Sequence, residues 1–122
     1  TSVFSIYVTL KMLRWVEKQG GVAVMEQRNR EKSKLLYDVL DDSELYKAVA
    51  DPENRSICNV TFRLDDDEME KRFLEQSLNE RLYALKGHRD VGGIRASIYN
   101  SMPLEGVKAL ADFMQDFERR ET

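Results

Sequence analysis

Two arginines and the chain's only histidine fall between positions 88 and 95, as His88, Arg89 and Arg95, with Gly87, Gly92 and Gly93 around them. Arginine carries a planar, permanently charged fork that grips a carboxylate or a phosphate through two parallel hydrogen bonds. Glycine has no Cβ, so it lets backbone approach a ligand closely or take a positive φ. Together these residue types fit a site for a doubly anionic small molecule. The plain alternative is that the arginines are surface residues and the glycines mark turns, and residue chemistry alone leaves both readings open. His88 sits beside Arg89, which disfavours a second positive charge, whereas a bound phosphate would favour it. That position suits contact with an anion more than general-base work.

The elements that must hold these residues can be read outward from them. Ile94 to Tyr99 predicts a strand with Ile94, Ala96 and Ile98 on one face. Arg95, Ser97 and Tyr99 take the other face, so Arg95 is aimed away from the apolar side. Leu82 to Leu85 predicts a partner strand, and a turn on Gly92-Gly93 would let Arg89 and Arg95 converge on one cleft. Pro103 and Glu105 mark the start of a last helix, buried through Leu104, Val107, Leu110, Ala111, Met114 and Phe117. Upstream, Glu68 to Arg81 reads as a helix, and Asp65-Asp66-Asp67 suits its N-terminus, where N–H groups are unpaired. Those aspartates lack the spaced ligands and the glycine of a calcium loop, so no metal is expected.

Ser56 to Leu64 alternates, with Cys58, Val60, Phe62 and Leu64 on one side, and predicts a half-buried strand paired with a shorter one at Leu45 to Ala50. Asp51-Pro52-Glu53-Asn54 supplies the turn between them. Two helices precede this region. Val22 to Leu40 packs Met25, Leu36, Val39 and Leu40 inward and points Glu26, Arg28, Arg30, Glu31, Lys32 and Lys34 to solvent. Phe4 to Gln19 is apolar almost all round and ends at Gly20-Gly21. A helix with so little polar face should be buried, or should face another domain or subunit. The reading is α+β: a small, mostly antiparallel sheet with helices packed on one face. One domain spans 1–122, with two helices (1–40) leading into an α+β core (41–122).

Composition narrows the classes. With 42% hydrophobic and 34% charged residues, the chain is neither disordered nor membrane-embedded. A net charge of −3 with interspersed signs lacks the basic stripe of a nucleic-acid binder. No apolar run reaches the ~18 residues of a membrane span, and no secretory signal precedes Phe4. Cys58 is the only cysteine, so no disulfide framework exists and a reducing, cytoplasmic compartment is expected.

The run Leu85-Lys86-Gly87-His88-Arg89, followed by Val91-Gly92-Gly93-Ile94-Arg95-Ala96-Ser97-Ile98-Tyr99-Asn100, resembles the C-terminal signature of phosphoserine aminotransferases. Phe4-Ser5-Ile6-Tyr7-Val8, Gly20-Gly21 with Met25-Glu26, Asn54-Arg55-Ser56, Glu70-Lys71-Arg72-Phe73-Leu74 and Pro103-Leu104-Glu105-Gly106-Val107 match the same family in order. The resemblance covers essentially the whole chain. It implies the small C-terminal domain of a fold-type I aminotransferase, an enzyme that moves an amino group between glutamate and 3-phosphohydroxypyruvate to give O-phosphoserine in serine biosynthesis.

Such enzymes use pyridoxal phosphate, held on a lysine of a large domain that would precede Thr1. None of the eight lysines here matches that lysine's context. The resemblance therefore implies no catalytic residue in this chain, no transamination by the chain alone, and no cofactor contact, since Thr1 is out of register with the family's Asn-Thr pair. It assigns Arg95 to the substrate's α-carboxylate, and His88 with Arg89 to its other anionic end, a phosphate or a side-chain carboxylate. It also implies a homodimer with active sites at the subunit boundary, small-molecule substrates, and neither nucleic acid nor membrane as partner. Two rivals stand beside it. One is a stand-alone module binding a phosphorylated or dicarboxylic metabolite without catalysis. The other is an aminotransferase for non-phosphorylated acids, against which the His88-Arg89 pair argues.

Overall fold

The computed structural model describes residues Thr1–Thr122. Helix α1 (Val3–Lys18) has no buried residue, and only Trp15 and Val16 are even half-buried. Gly20 and Gly21, at φ +110° and +86°, take the left-handed conformation that closes the helix and turns the chain. Helix α2 (Val22–Asp42) then buries Met25, Leu36, Val39 and Leu40, the apolar face that the heptad-like spacing marks.

Strand β1 (Lys47–Ala48), a 3₁₀ turn (Pro52–Asn54) and strand β2 (Asn59–Arg63) follow, then helix α3 (Asp67–Asn79). Strands β3 (Lys86–His88) and β4 (Gly92–Ser97) form a hairpin, and helix α4 (Leu104–Glu121) closes the chain. The four strands lie in the order β1-β2-β4-β3, every pair antiparallel. Helices α2, α3 and α4 pack on one face of this sheet, so the α+β expectation holds.

The core sits between that face and the helices. Phe73 of α3 is fully buried and meets Tyr46, Phe62, Phe113 and Phe117 edge-on, at centroid distances of 5.9, 5.8, 5.1 and 5.2 Å. Edge-to-face contact matches the positive rim of one ring to the negative face of the next. The buried Tyr46 hydroxyl donates to the Met114 carbonyl at 2.8 Å, satisfying the one polar atom the cluster carries. Asp66 caps α3 by accepting from the Met69 N–H at 2.7 Å, as its place among the aspartates predicts.

Four local expectations are corrected. The strand predicted over Leu45–Ala50 shrinks to Lys47–Ala48, because the Ser43 hydroxyl takes the Leu45 and Tyr46 N–H groups and holds them out of the ladder. Cys58 is exposed, and the second strand starts at Asn59, because the Ser56 hydroxyl takes the N–H groups of Cys58 and Asn59. Leu82–Leu85 is no strand. Arg81 and Ala84 stand at φ +60° and +61°, which swings the segment off the sheet until the Leu85 carbonyl accepts the Arg95 N–H and β3 begins at Lys86. Lys32 is buried instead of solvent-facing, as described below.

Candidate functional site

The signature run folds as the β3–β4 hairpin. Lys86 pairs with Ile94 and His88 with Gly92, and the reversal falls on Arg89-Asp90-Val91. Gly92 and Gly93 are therefore in strand β4, at φ +75° and +73°, where a side chain would be strained. The glycines make room for protein rather than ligand. A Cβ on Gly93 would lie 2.6 Å from Arg63 Cδ and 3.0 Å from the Phe62 carbonyl oxygen, and one on Gly87 would collide with the Gly92 carbonyl oxygen. Arg63, whose aliphatic stem crosses that bare backbone, is held by Glu70 at 2.5 Å and by Asp67 at 3.3 Å. The Glu70 hydrogen bond keeps its guanidinium more firmly protonated than an ordinary arginine.

Arg95 follows two residues after that crossing. The register pairs it with Thr61, on the face opposite buried Ile94, Ala96 and Ile98. Its side chain is half-buried, and its Nε is sealed from solvent without a hydrogen-bond partner. It lines a groove of about 500 Å³ that opens between the end of β4 and the segment Arg81–Leu85. Leu36, Leu85, Ile98, Val107 and Leu110, all buried, form its floor, with Arg81, Tyr83 and Tyr99 at the exposed rim. No acidic residue lines it, and Arg81 has no ion-pair partner, so the groove is cationic and dry-walled. This is the geometry that favours an anion with an apolar body.

The structure does not bring the other two predicted residues to Arg95 within this chain. His88 is paired with Gly92 and so lies on the Ile94 face of the hairpin, opposite to Arg95. Its Nδ1 lies 3.2 Å from the Asp90 N–H and 3.5 Å from the Asp90 carboxylate, so the ring is turned to its own tip, and its Nε2 has no partner here. Arg89 is at the hairpin tip with its side chain 89% exposed and only a loose 3.7 Å approach to Asp90. The turn lies three residues earlier than the glycine pair suggested, and that shift carries Arg89 away from the groove.

Sequence reasoning missed the device that fixes the far end of β4. Lys32, 3% exposed, reaches from α2 and donates to the backbone carbonyls of Tyr99 (3.0 Å), Asn100 (3.4 Å) and Met102 (3.1 Å). Asn29, one turn earlier, donates to the Asn100 side-chain carbonyl at 2.8 Å. Burial, and secondarily the nearby Arg28, lower the Lys32 pKa from its ordinary value. In sequence this lysine sits in a run of charged residues and nothing sets it apart. No lysine faces the groove: Lys32 is the one buried lysine and its amine is committed to those carbonyls. The residues present therefore do not build a Schiff-base site for pyridoxal phosphate. No group of three or more His, Cys, Asp or Glu residues is placed to hold a metal ion, and no helix is long and apolar enough to cross a membrane.

Residues 1–110 match the family model of class-V aminotransferases. Among solved structures, the chain is similar to a phosphoserine aminotransferase from Bacillus circulans subsp. alkalophilus, at 45% identity and a TM-score of 0.95 over 98% of this chain. It is also similar to a pyridoxal-phosphate-bound phosphoserine aminotransferase from Trichomonas vaginalis, at 35% identity and a TM-score of 0.88 over 93% of this chain. In each case the chain spans 33% of the other protein's length. A cystine C–S lyase shares the fold at 22% identity and a TM-score of 0.66.

Proposed function

The chain belongs to the class-V aminotransferases, and from that premise we propose that it is the substrate-binding C-terminal third of a phosphoserine aminotransferase. The reaction is amino transfer between glutamate and 3-phosphohydroxypyruvate, yielding O-phosphoserine for serine biosynthesis in the cytoplasm. The observation that carries this reading is Arg95, set by the β2–β4 register at the wall of a cationic groove with its guanidinium unpaired. An arginine in that setting forms a bidentate pair with an α-carboxylate, and a partly desolvated pair of this kind discriminates strongly for the anion. Tetrahedral phosphate and planar carboxylate must both be accepted at the substrate's other end, and a clamp of charges tolerates that difference where a shape-tight pocket would not.

His88 and Arg89 complete the clamp in a homodimer. They stand on the opposite side of the hairpin from Arg95, exposed at its tip. In an assembly whose active sites lie at the subunit boundary, the exposed tip reaches the substrate's other anionic end. Pyridoxal phosphate, bound by the remainder of the polypeptide, supplies the electron sink. This chain binds and orients substrate, and alone it does not transaminate.

The test is amino transfer to 2-oxoglutarate by the full-length enzyme, with O-phosphoserine and serine compared as donors and Arg95→Ala run alongside. Preference for O-phosphoserine, with kcat/KM falling about 10²-fold or more in Arg95→Ala, is expected for loss of a desolvated bidentate ion pair. Equal use of serine, or indifference to the substitution, refutes the assignment.

A further inference from the structure

Strand β4 runs on past the strand beside it. β3 covers it only at Gly92 and Ile94, and the last bond across that edge joins the Arg95 N–H to the Leu85 carbonyl at 2.7 Å. On the other side, the Ile98 N–H donates to the Cys58 carbonyl at 2.7 Å. Antiparallel ladders alternate, so Ser97 must turn both its N–H and its C=O away from β2, toward the edge that β3 no longer covers. The residue that would continue the ladder there is Tyr83. Ala84, at φ +61°, swings that segment outward instead, and the gap it leaves is the groove of about 500 Å³. A non-glycine residue in the left-handed region costs energy that an ordinary loop would avoid. Here that conformation keeps the segment off the β4 edge.

The groove thus offers one unpaired backbone donor and acceptor between apolar walls. An anion held at Arg95 leaves the apolar floor and the alternation at Ser97 unmet, whereas an extended peptide beside Ser97 satisfies both. The rim adds charge complementarity, because Arg81 has no ion-pair partner and no acid lines the groove. The uncovered edge from Ser97 to Tyr99 spans about 10 Å, room for roughly three extended residues. Class-V relatives of this chain are about three times its length, since it spans 33% of them. The geometry points to a strand-addition slot: a short, extended, apolar segment carrying one acidic residue, contributed by the part of the enzyme outside these 122 residues, pairs with Ser97 and places its carboxylate at Arg81. This inference rests on the reading of the chain as one part of a larger aminotransferase. The added strand would cover the apolar floor of the groove and leave the Arg95 guanidinium to the substrate.

Amide hydrogen exchange in the full-length, substrate-free enzyme tests it, with Ala96 and Ile98, which face β2, as internal standards. With a strand in the slot, the Ser97 amide exchanges within about tenfold of those two. An Arg81→Glu variant then speeds Ser97 exchange by roughly tenfold and leaves the standards unchanged. Ser97 exchanging more than about a hundredfold faster than its neighbours overturns the inference. So does protection that appears only when O-phosphoserine is added, which would give the Ser97 edge to the substrate and not to a strand, and so does an unchanged Ser97 rate in Arg81→Glu. An enzyme that fails to use O-phosphoserine yet protects Ser97 refutes the functional reading while the slot stands.

Discussion

Replacing Lys32 by methionine removes the ammonium that ties α2 to the stretch after β4 and keeps most of the apolar stem. Three carbonyls, at 3.0, 3.4 and 3.1 Å, lose their donor. A hydrogen bond to a charged group contributes about 1.5–3 kcal/mol net, so a naive sum over the three would approach 5–9 kcal/mol. Two features shrink it. Tyr99, Asn100 and Met102 are themselves exposed, so water replaces the amine at their carbonyls. The wild type also bears the cost of desolvating the ammonium, the same burial that lowers its pKa. The Met102 and Tyr99 bonds are short and the Asn100 bond is marginal, which leaves about 1.5–3 kcal/mol of destabilisation, one strong charged contact in effect. Urea unfolding followed by circular dichroism reads this as a lower midpoint at unchanged slope. A free-energy change below about 0.5 kcal/mol would show that desolvation cancels the bonds, and the claim that Lys32 fixes the end of β4 would fail.

Gly93→Ala should cost about 2–4 kcal/mol in the same assay, since it adds a clash with Arg63 and the Phe62 carbonyl to the strain of φ +73°. Gly21→Ala, at φ +86° with nothing within 4 Å, should cost only the backbone strain of about 1–2 kcal/mol, and equal losses at the two sites would refute the packing role. Phe73→Ala should cost about 3–5 kcal/mol, because four rings lose their common neighbour; a loss under about 1 kcal/mol would mean the core collapses freely. Asp41 is held below the ordinary carboxylate pKa chiefly by its hydrogen bonds to Arg55, at 2.6 and 2.7 Å. Its contribution is present above the unfolded pKa and fades as pH falls through the lowered folded value. Asp41→Asn should thus be less stable than wild type by under about 1 kcal/mol at neutral pH, given a carboxylate 54% exposed, and the difference should vanish in acid.

The alternation Ile94-Arg95-Ala96-Ser97-Ile98 was legible because burial on one face of a sheet imposes a period of two, and it put Arg95 on the correct side. The aspartates ahead of α3 were legible because capping is local chemistry. What stayed hidden depends on contacts distant in sequence. Lys32 looks like any solvent lysine until α2 is laid beside Tyr99–Met102. Gly92-Gly93 looks like a turn, yet the pair yields to an arginine thirty positions earlier, so the reversal moves to Arg89-Asp90-Val91 and Arg89 leaves the groove. Nothing in Leu82-Tyr83-Ala84-Leu85 announces a left-handed alanine. A strand-like pattern was broken there by backbone conformation rather than by side-chain type.

Helix α1 has sixteen residues and buries none of them against the rest of the chain. Isolated helices of that length are marginal in water, since nucleation is costly and propagation returns little per residue. The helix therefore sits outside the cooperative unit that Phe73 anchors. Melting of α1 and melting of the core are therefore expected to be separate events, with Phe4, Ile6, Leu10 and Leu13 contributing nothing to the second. Helical content contributed by residues 3–18 is thus expected to be lost before the core that Phe73 anchors unfolds.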